Sequence, residues 1–195
     1  MSWIIAGLVL LALVATVALA GYRWRRESRR LMARLDPGNG PSGAPVLSAA
    51  ELAGLPDPVA RYLRAVLHEG QPIARHALVL HRGDFLLRPG ENGWRPFTSS
   101  EHFAVQPPGF VWDARIRMVP ALPGLDVLVR DSFVSGRGSM HGSVLGLVPV
   151  VAAEGTPEMA AGALYRYLAE AAWIPTAFLP RHGVVWTAID ESSAR

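Results

Sequence analysis

The sequence predicts an α+β protein: an N-terminal transmembrane helix, then a curved, mainly antiparallel sheet packed by two or three helices, with its C-terminal strands missing. Three observations carry this. An uncharged run of 19 residues, Trp3 to Gly21, opens the chain. Between His76 and Val134 apolar residues alternate in short segments parted by turn residues, the pattern of half-buried strands joined by tight turns. On either side, Asp57–Leu67 and Thr156–Ala171 carry helix start signals and apolar residues at helical spacing. The expected division is an anchor with its basic flank at residues 1–24, a juxtamembrane linker at 25–46 and the α+β domain at 47–195.

Length and composition bound the function. A chain of 195 residues accommodates one modest core besides an anchor. There is no cysteine, which excludes disulfides and thiolate chemistry. All 19 basic residues are Arg, and with the abundant Gly and Pro this bias suits a high-GC bacterial genome. Of the formal net charge of +3, residues 1–36 carry +4 and the remainder −1. The basic character therefore belongs to the segment after the apolar run, and no nucleic-acid partner is expected.

The apolar run is the right length for a bilayer. As a helix it spans roughly 28 Å, against a hydrocarbon core of about 30 Å. Ala18-Leu19-Ala20 resembles a signal-peptide cleavage site, but no basic residue precedes the run and five Arg follow within Arg23–Arg30, so a retained single-pass anchor is the expectation. Those arginines place the following domain on the cytoplasmic side of a bacterial inner membrane. Trp3, Tyr22 and Trp24 suit the aromatic belts at the two interfaces. The lipid bilayer, through Trp3–Gly21, is thus the first expected partner.

Asp36–Pro45 is rich in Gly, Pro and Ser, and no regular element is expected in it. Ser48 and Glu51 have capping-box spacing. Asp57 is expected as the N-cap of a helix whose stripe is Val59, Tyr62, Leu63, Val66 and Leu67, packed over the sheet.

His76–His81, Asp84–Arg88 and Trp94–Ser99 read as short strands, and Glu101–Val105 leads into a break at Gln106-Pro107-Pro108-Gly109. Phe110–Met118 follows with Phe110, Trp112, Ala114, Ile116 and Met118 on one face and Val111, Asp113, Arg115 and Arg117 on the other; Leu125–Val134 alternates in the same way. The Ser135–Gly142 segment has neither a phosphate-loop ending nor a dinucleotide fingerprint, and reads as a turn or bulge at a sheet edge. The six histidines form no metal-binding motif, so no metal or cofactor is expected. The charged face of the Phe110 strand, Asp113, Arg115 and Arg117 with Arg130, is either a solvated outer face with weak cross-strand pairs or the lining of a cavity for an anionic or amphiphilic molecule.

Thr156-Pro157-Glu158 starts the second helix. Ala160, Leu164, Tyr167, Leu168 and Ala171 form its expected buried stripe, with Arg166 and Glu170 paired on the other side. Trp173-Ile174-Pro175 ends it, and Val184–Asp190 reads as a last strand, so that the sequence suggests an incomplete sheet.

The segments LPDPVARYL (55–63), FVWDARIRM (110–118), VRDSFVSGRGSM (129–140), MAAGALYRYLAEAAWIPTAFL (159–179) and VVWTAID (184–190) together resemble an uncharacterised bacterial family of membrane-anchored proteins related to DUF6544 and DUF6920, over roughly residues 50–195. The resemblance implies no established activity. It implies further strands beyond this sequence, and marks Arg166, Tyr167, Leu168, Glu170, Trp173, Pro175 and Thr176 as the most recognisable element.

With no catalytic constellation in view, the leading expectation is a membrane-tethered, non-catalytic domain that binds a hydrophobic or amphiphilic ligand or a protein partner. Asp113, Arg115, Arg117, Arg130, Arg166, Glu170 and Trp173 are its candidate ligand-binding residues. The alternatives are an enzyme using acid–base chemistry around Glu170, Asp113 and Asp131 with a nearby His, and a structural interaction module.

Overall fold

The first helix continues well past the end of its apolar run. In the computed structural model, which describes residues 2–35, 45–87, 90, 93–119 and 124–195, α1 is unbroken from Ser2 to Leu35. Through Leu19 it stands clear of the rest of the chain, and among the described residues it is the one helix long and apolar enough to cross a membrane. From Ala20 onward one face turns inward: Ala20, Ser28 and Leu35 are buried, and Trp24, Leu31 and Met32 partly so. Residues 25–35, expected as linker, are therefore helix packed on the domain. Gly and Pro are absent from Tyr22–Leu35, good helix formers fill it, and the inward residues recur at helical spacing. Of the rest of the expected linker, residues 36–44 lie outside the described residues, and Val46 bridges to Pro72.

Six strands follow: β1 (His76–Leu86), β2 (Trp94–Ala104), β3 (Gly109–Arg117), β4 (Asp126–Val134), β5 (Arg137–Val144) and β6 (Val148–Glu154). They form one antiparallel sheet in sequence order, β1 through β6, which does not close on itself. Three expected short strands and the Glu101–Val105 segment make up two long strands, because the β1–β2 ladder runs unbroken through Arg82↔Thr98 and Gly83↔Phe97. The strand stays extended through Gly83, where a Cβ would make only an ordinary van der Waals contact with the Phe97 ring at 3.5 Å. The glycine-rich segment is a turn only at its start, and Arg137–Gly142 runs on in β5, an inner strand between β4 and β6 rather than a sheet edge. Ser135 and Gly136, both at positive φ, make the β4–β5 turn, and a bulge interrupts the β5–β6 ladder at Gly142/Ser143.

The sheet has two covered faces. On one, α1 packs Leu31, Met32 and Leu35 against Ala104, Val111 and Val134. On the other, α3 (Pro157–Glu170) lies over Phe103, Phe110 and Phe133. Thr156 caps α3 as expected, its hydroxyl accepting from the Met159 amide at 3.2 Å. The buried stripe of α3 is Ala163 and Tyr167, continued by Ala171, whereas Leu164 and Leu168 are exposed. This is a rotation from the expected stripe, and it turns Arg166 toward the sheet. Tyr167 stacks on Phe103 at 4.5 Å between centroids, and close approach at Gly138, where a Cβ would overlap the Met159 carbonyl, sets the height of the helix.

The third helix, α2 (Asp57–Val66), does not cover the sheet. Its N-cap is Pro56, with Asp57 as the first helical residue. Val59 and Leu63 instead join Leu47, Leu52, Leu67, Ile73 and Leu179 in a separate cluster, flanked by Phe178 and Trp186. Val184–Asp190 is likewise no strand of the sheet. Trp186 is drawn onto this cluster and donates its indole N–H to the Phe178 carbonyl at 3.0 Å, leaving only a bridge between Ala188 and Ala194.

Candidate functional site

Alternation along the strands decides which side chains meet beneath α3. From β2 come Phe97 and Glu101, from β3 Trp112 and Ile116, from β4 Val127, Val129 and Asp131, and from β5 Met140 and Val144. All of these except Asp131 line a groove of about 750 Å³, bounded also by His81, Phe85 and Val151 and, from α3, by Arg166 and Glu170. Its walls are overwhelmingly apolar, the lining expected of a site for a ligand with an apolar body.

One end of the groove is charged. Arg166 reaches from α3 over the ring of Phe110, 4.6 Å from its centroid, and that of Trp112 at 5.2 Å. It donates to Asp131 Oδ2 at 2.5 Å, to Glu101 Oε1 at 3.3 Å and to Glu170 Oε1 at 3.1 Å. The Glu101 carboxyl is fully buried. Burial, with a hydrogen bond to Glu170, pushes its pKa up to about 8 against the pull of Arg166. Glu101 Oε2 and Glu170 Oε2 are buried with no other partner, so a proton on Glu101, donated to Glu170, satisfies both. Burial also works against the charge on Arg166, but Glu101, Asp131 and Glu170 outweigh it and raise its pKa. Three carboxyls around one guanidinium, with one carboxyl protonated, leave a local charge near −1. Such a site accepts hydrogen bonds more readily than it takes another anion.

The candidate residues named from the sequence fall into two groups on opposite faces. Arg166 and Glu170 are at the groove. Trp173 flanks it, half-exposed, its ring 5.7 Å from that of His81. Asp113, Arg115, Arg117 and Arg130 are on the α1 face. There, Asp113 Oδ1 accepts from the Trp24 indole at 3.0 Å, and its Oδ2 accepts from the Ser28 hydroxyl. Arg130 donates to Ser28 Oγ at 3.1 Å and to the Trp24 carbonyl at 3.2 Å, and its guanidinium lies 4.5 Å from the Trp24 ring centroid. Burial lowers the pKa of Arg130, and Asp113 counters it. Arg115 pairs with Asp126 at 3.2 Å from an exposed position. Of the acid–base group, Glu170 and Asp131 converge on Arg166, with His81 along the same groove, while Asp113 is on the far side of the sheet.

Sequence reasoning missed Glu101, Trp24 and Ser28. Register would have found Glu101: it lies opposite Trp112 and therefore faces the groove. The stripe Ala20, Trp24, Ser28, Leu31, Leu35 was equally legible as one face of a helix.

The model of DUF6544, described as a family of unknown function, matches residues 45–195. No curated protein and no solved structure matches the chain.

Proposed function

The chain belongs to DUF6544, a family with no assigned activity, and we propose that this member is a membrane-anchored domain that binds an amphiphile in the groove beneath α3. The observation that carries this is the groove itself: about 750 Å³ of apolar lining that ends at Arg166, Glu101, Glu170 and Asp131. An alkyl or ring body would remove the lining from water at roughly 25 cal/mol per Å² of apolar surface. A head carrying hydroxyl or amine donors would meet the carboxyls. Trp3–Gly21 supplies the anchor, and the arginines after it favour a cytoplasmic domain at a bacterial inner membrane. Arg166, Glu170 and Trp173 are the ligand-facing residues in this reading. Asp113 and Arg130 hold α1, and Arg115 and Arg117 face the headgroups.

The test is photolabelling of the full chain in phosphatidylcholine vesicles with a diazirine-bearing fatty alcohol. Label is expected on the groove strands, around Phe97, Ile116 and Val127, and Met140→Trp is expected to reduce it severalfold by filling the groove. Label confined to residues 2–21 would sink the reading.

A second reading rests on Glu101 being held protonated beside Glu170: such a pair suits general acid chemistry. It gains ground if the groove ligand is recovered chemically changed and Glu101→Gln stops the change while labelling persists.

A further inference from the structure

The first inward-facing residue of α1, Ala20, touches the sheet at one particular place. Gly146, in the β5–β6 turn, lies so close to Ala20 that a Cβ there would be 3.3 Å from the Ala20 carbonyl carbon. In a meander, alternate turns share an end, so the β1–β2, β3–β4 and β5–β6 connections all lie at the end where α1 leaves the sheet. The described residues around these connections are apolar and open: Leu87, Trp94, Leu125, Leu147 and Val148 are all more than a third exposed, Trp94 and Val148 more than half. On the α1 side of the same end, Arg82, Arg115 and Arg117 line one hollow together with Asp126, which pairs with Arg115, and Arg25 and Arg29 flank the neighbouring hollow. A tryptophan and four aliphatic side chains exposed together at one end of the sheet are the kind of apolar patch that marks an interaction or membrane surface. An apolar edge beside clustered arginines matches the boundary between acyl chains and anionic headgroups.

We infer that this end of the sheet is seated in the membrane interface beside α1, with Trp94, Leu87, Leu125, Leu147 and Val148 in the acyl boundary and Arg82, Arg115 and Arg117 at anionic headgroups. The inference rests on the reading that Trp3–Gly21 lies in a bilayer. It also gives the groove its source of ligand. Met118, Val127 and Val144 line the groove at this end, while Glu101 and Arg166 lie at the other, so a lipid could enter from the bilayer with its head directed inward.

The absence of cysteine makes the test direct. The full chain, carrying a single fluorophore-labelled cysteine, is reconstituted into vesicles of phosphatidylcholine and phosphatidylglycerol, and quenching by doxyl-labelled lipid is measured. Four variants are compared: Leu10→Cys in the free part of α1, Trp94→Cys and Leu147→Cys at the proposed interface, and Arg137→Cys at the opposite end. Quenching of Trp94→Cys and Leu147→Cys severalfold above Arg137→Cys is expected, together with strong quenching of Leu10→Cys. If Leu10→Cys is quenched while Trp94→Cys and Leu147→Cys match Arg137→Cys, the seating is wrong and the anchor stands; that result includes the case in which a second copy of the chain covers β6. If Leu10→Cys is not quenched, the anchor reading fails and the seating fails with it.

Discussion

Arg166 Nη2 lies 3.3 Å from Glu101 Oε1, a contact between residues 65 apart in the chain. It joins the middle of β2 to the exposed side of the stripe expected for α3. Because Asp131 and Glu170 bind the same guanidinium, Arg166 holds three carboxyls together at the end of an apolar groove.

Replacing Arg166 should therefore be severe. Arg166→Ala leaves buried carboxyls without their cation, and breaking a buried ion pair from one side costs about 3–5 kcal/mol. Arg166→Lys should recover little, since one ammonium cannot reproduce a planar donor set shared among three acids. Denaturant midpoints of the full chain in micelles are the measurement, and a Lys variant with wild-type stability would contradict the shared geometry.

Glu101 should make stability depend on pH. Its folded pKa, about 8, is raised above the ordinary carboxyl value of 4.5. Between those values the folded chain binds more protons than the unfolded one, so this residue's contribution is fully present below pH 4.5 and is lost as pH rises through 8. Glu101→Gln should flatten that window and leave the variant the more stable of the two above pH 8. Melting temperature followed from pH 5 to pH 9 reads the effect directly.

The attachment of α1 depends on Asp113. Asp113→Ala removes the acceptor for Trp24 and Ser28 and the countercharge beside Arg130. Amides of residues 24–35 should then exchange with deuterium at least tenfold faster, because a hydrogen bond to a charged group contributes about 1.5–3 kcal/mol. The exposed Arg117→Ala serves as control, with an expected change within about 0.5 kcal/mol.

Two glycines on either side of the α3 contact should behave oppositely. Gly138→Ala forces a Cβ into the Met159 carbonyl, and overpacking of this kind costs about 1–3 kcal/mol. Gly162→Ala meets nothing within 4 Å and should stabilise the helix by up to about 1 kcal/mol. Thermal melts of the two variants, compared with wild type, check the pair.

Much of the sheet was legible because strand alternation is a local property. Phe110, Trp112 and Ile116 face one side and Asp113, Arg115 and Arg117 the other, as the two-residue period requires. The capping box at Ser48 and Glu51 and the cap at Thr156 are local as well, and both form. The stripe of α3 was misread because Leu164 and Leu168 are more hydrophobic than the Ala163 and Arg166 that replace them facing the sheet. Hydrophobicity alone could not register three carboxyls waiting on β2, β4 and α3 itself.

By itself, then, the sequence determined the apolar helix, the antiparallel strands and the faces of each strand, since these follow from periodicities of one segment at a time. Only the tertiary structure decided what each face meets. Asp113 and Arg130 are taken up by Trp24 and Ser28 of a helix continued through an expected linker, while Glu101, Asp131, Arg166 and Glu170 meet on the opposite side. Those meetings depend on long-range register and on the electrostatic demand of buried charges for partners, and no local pattern encodes either.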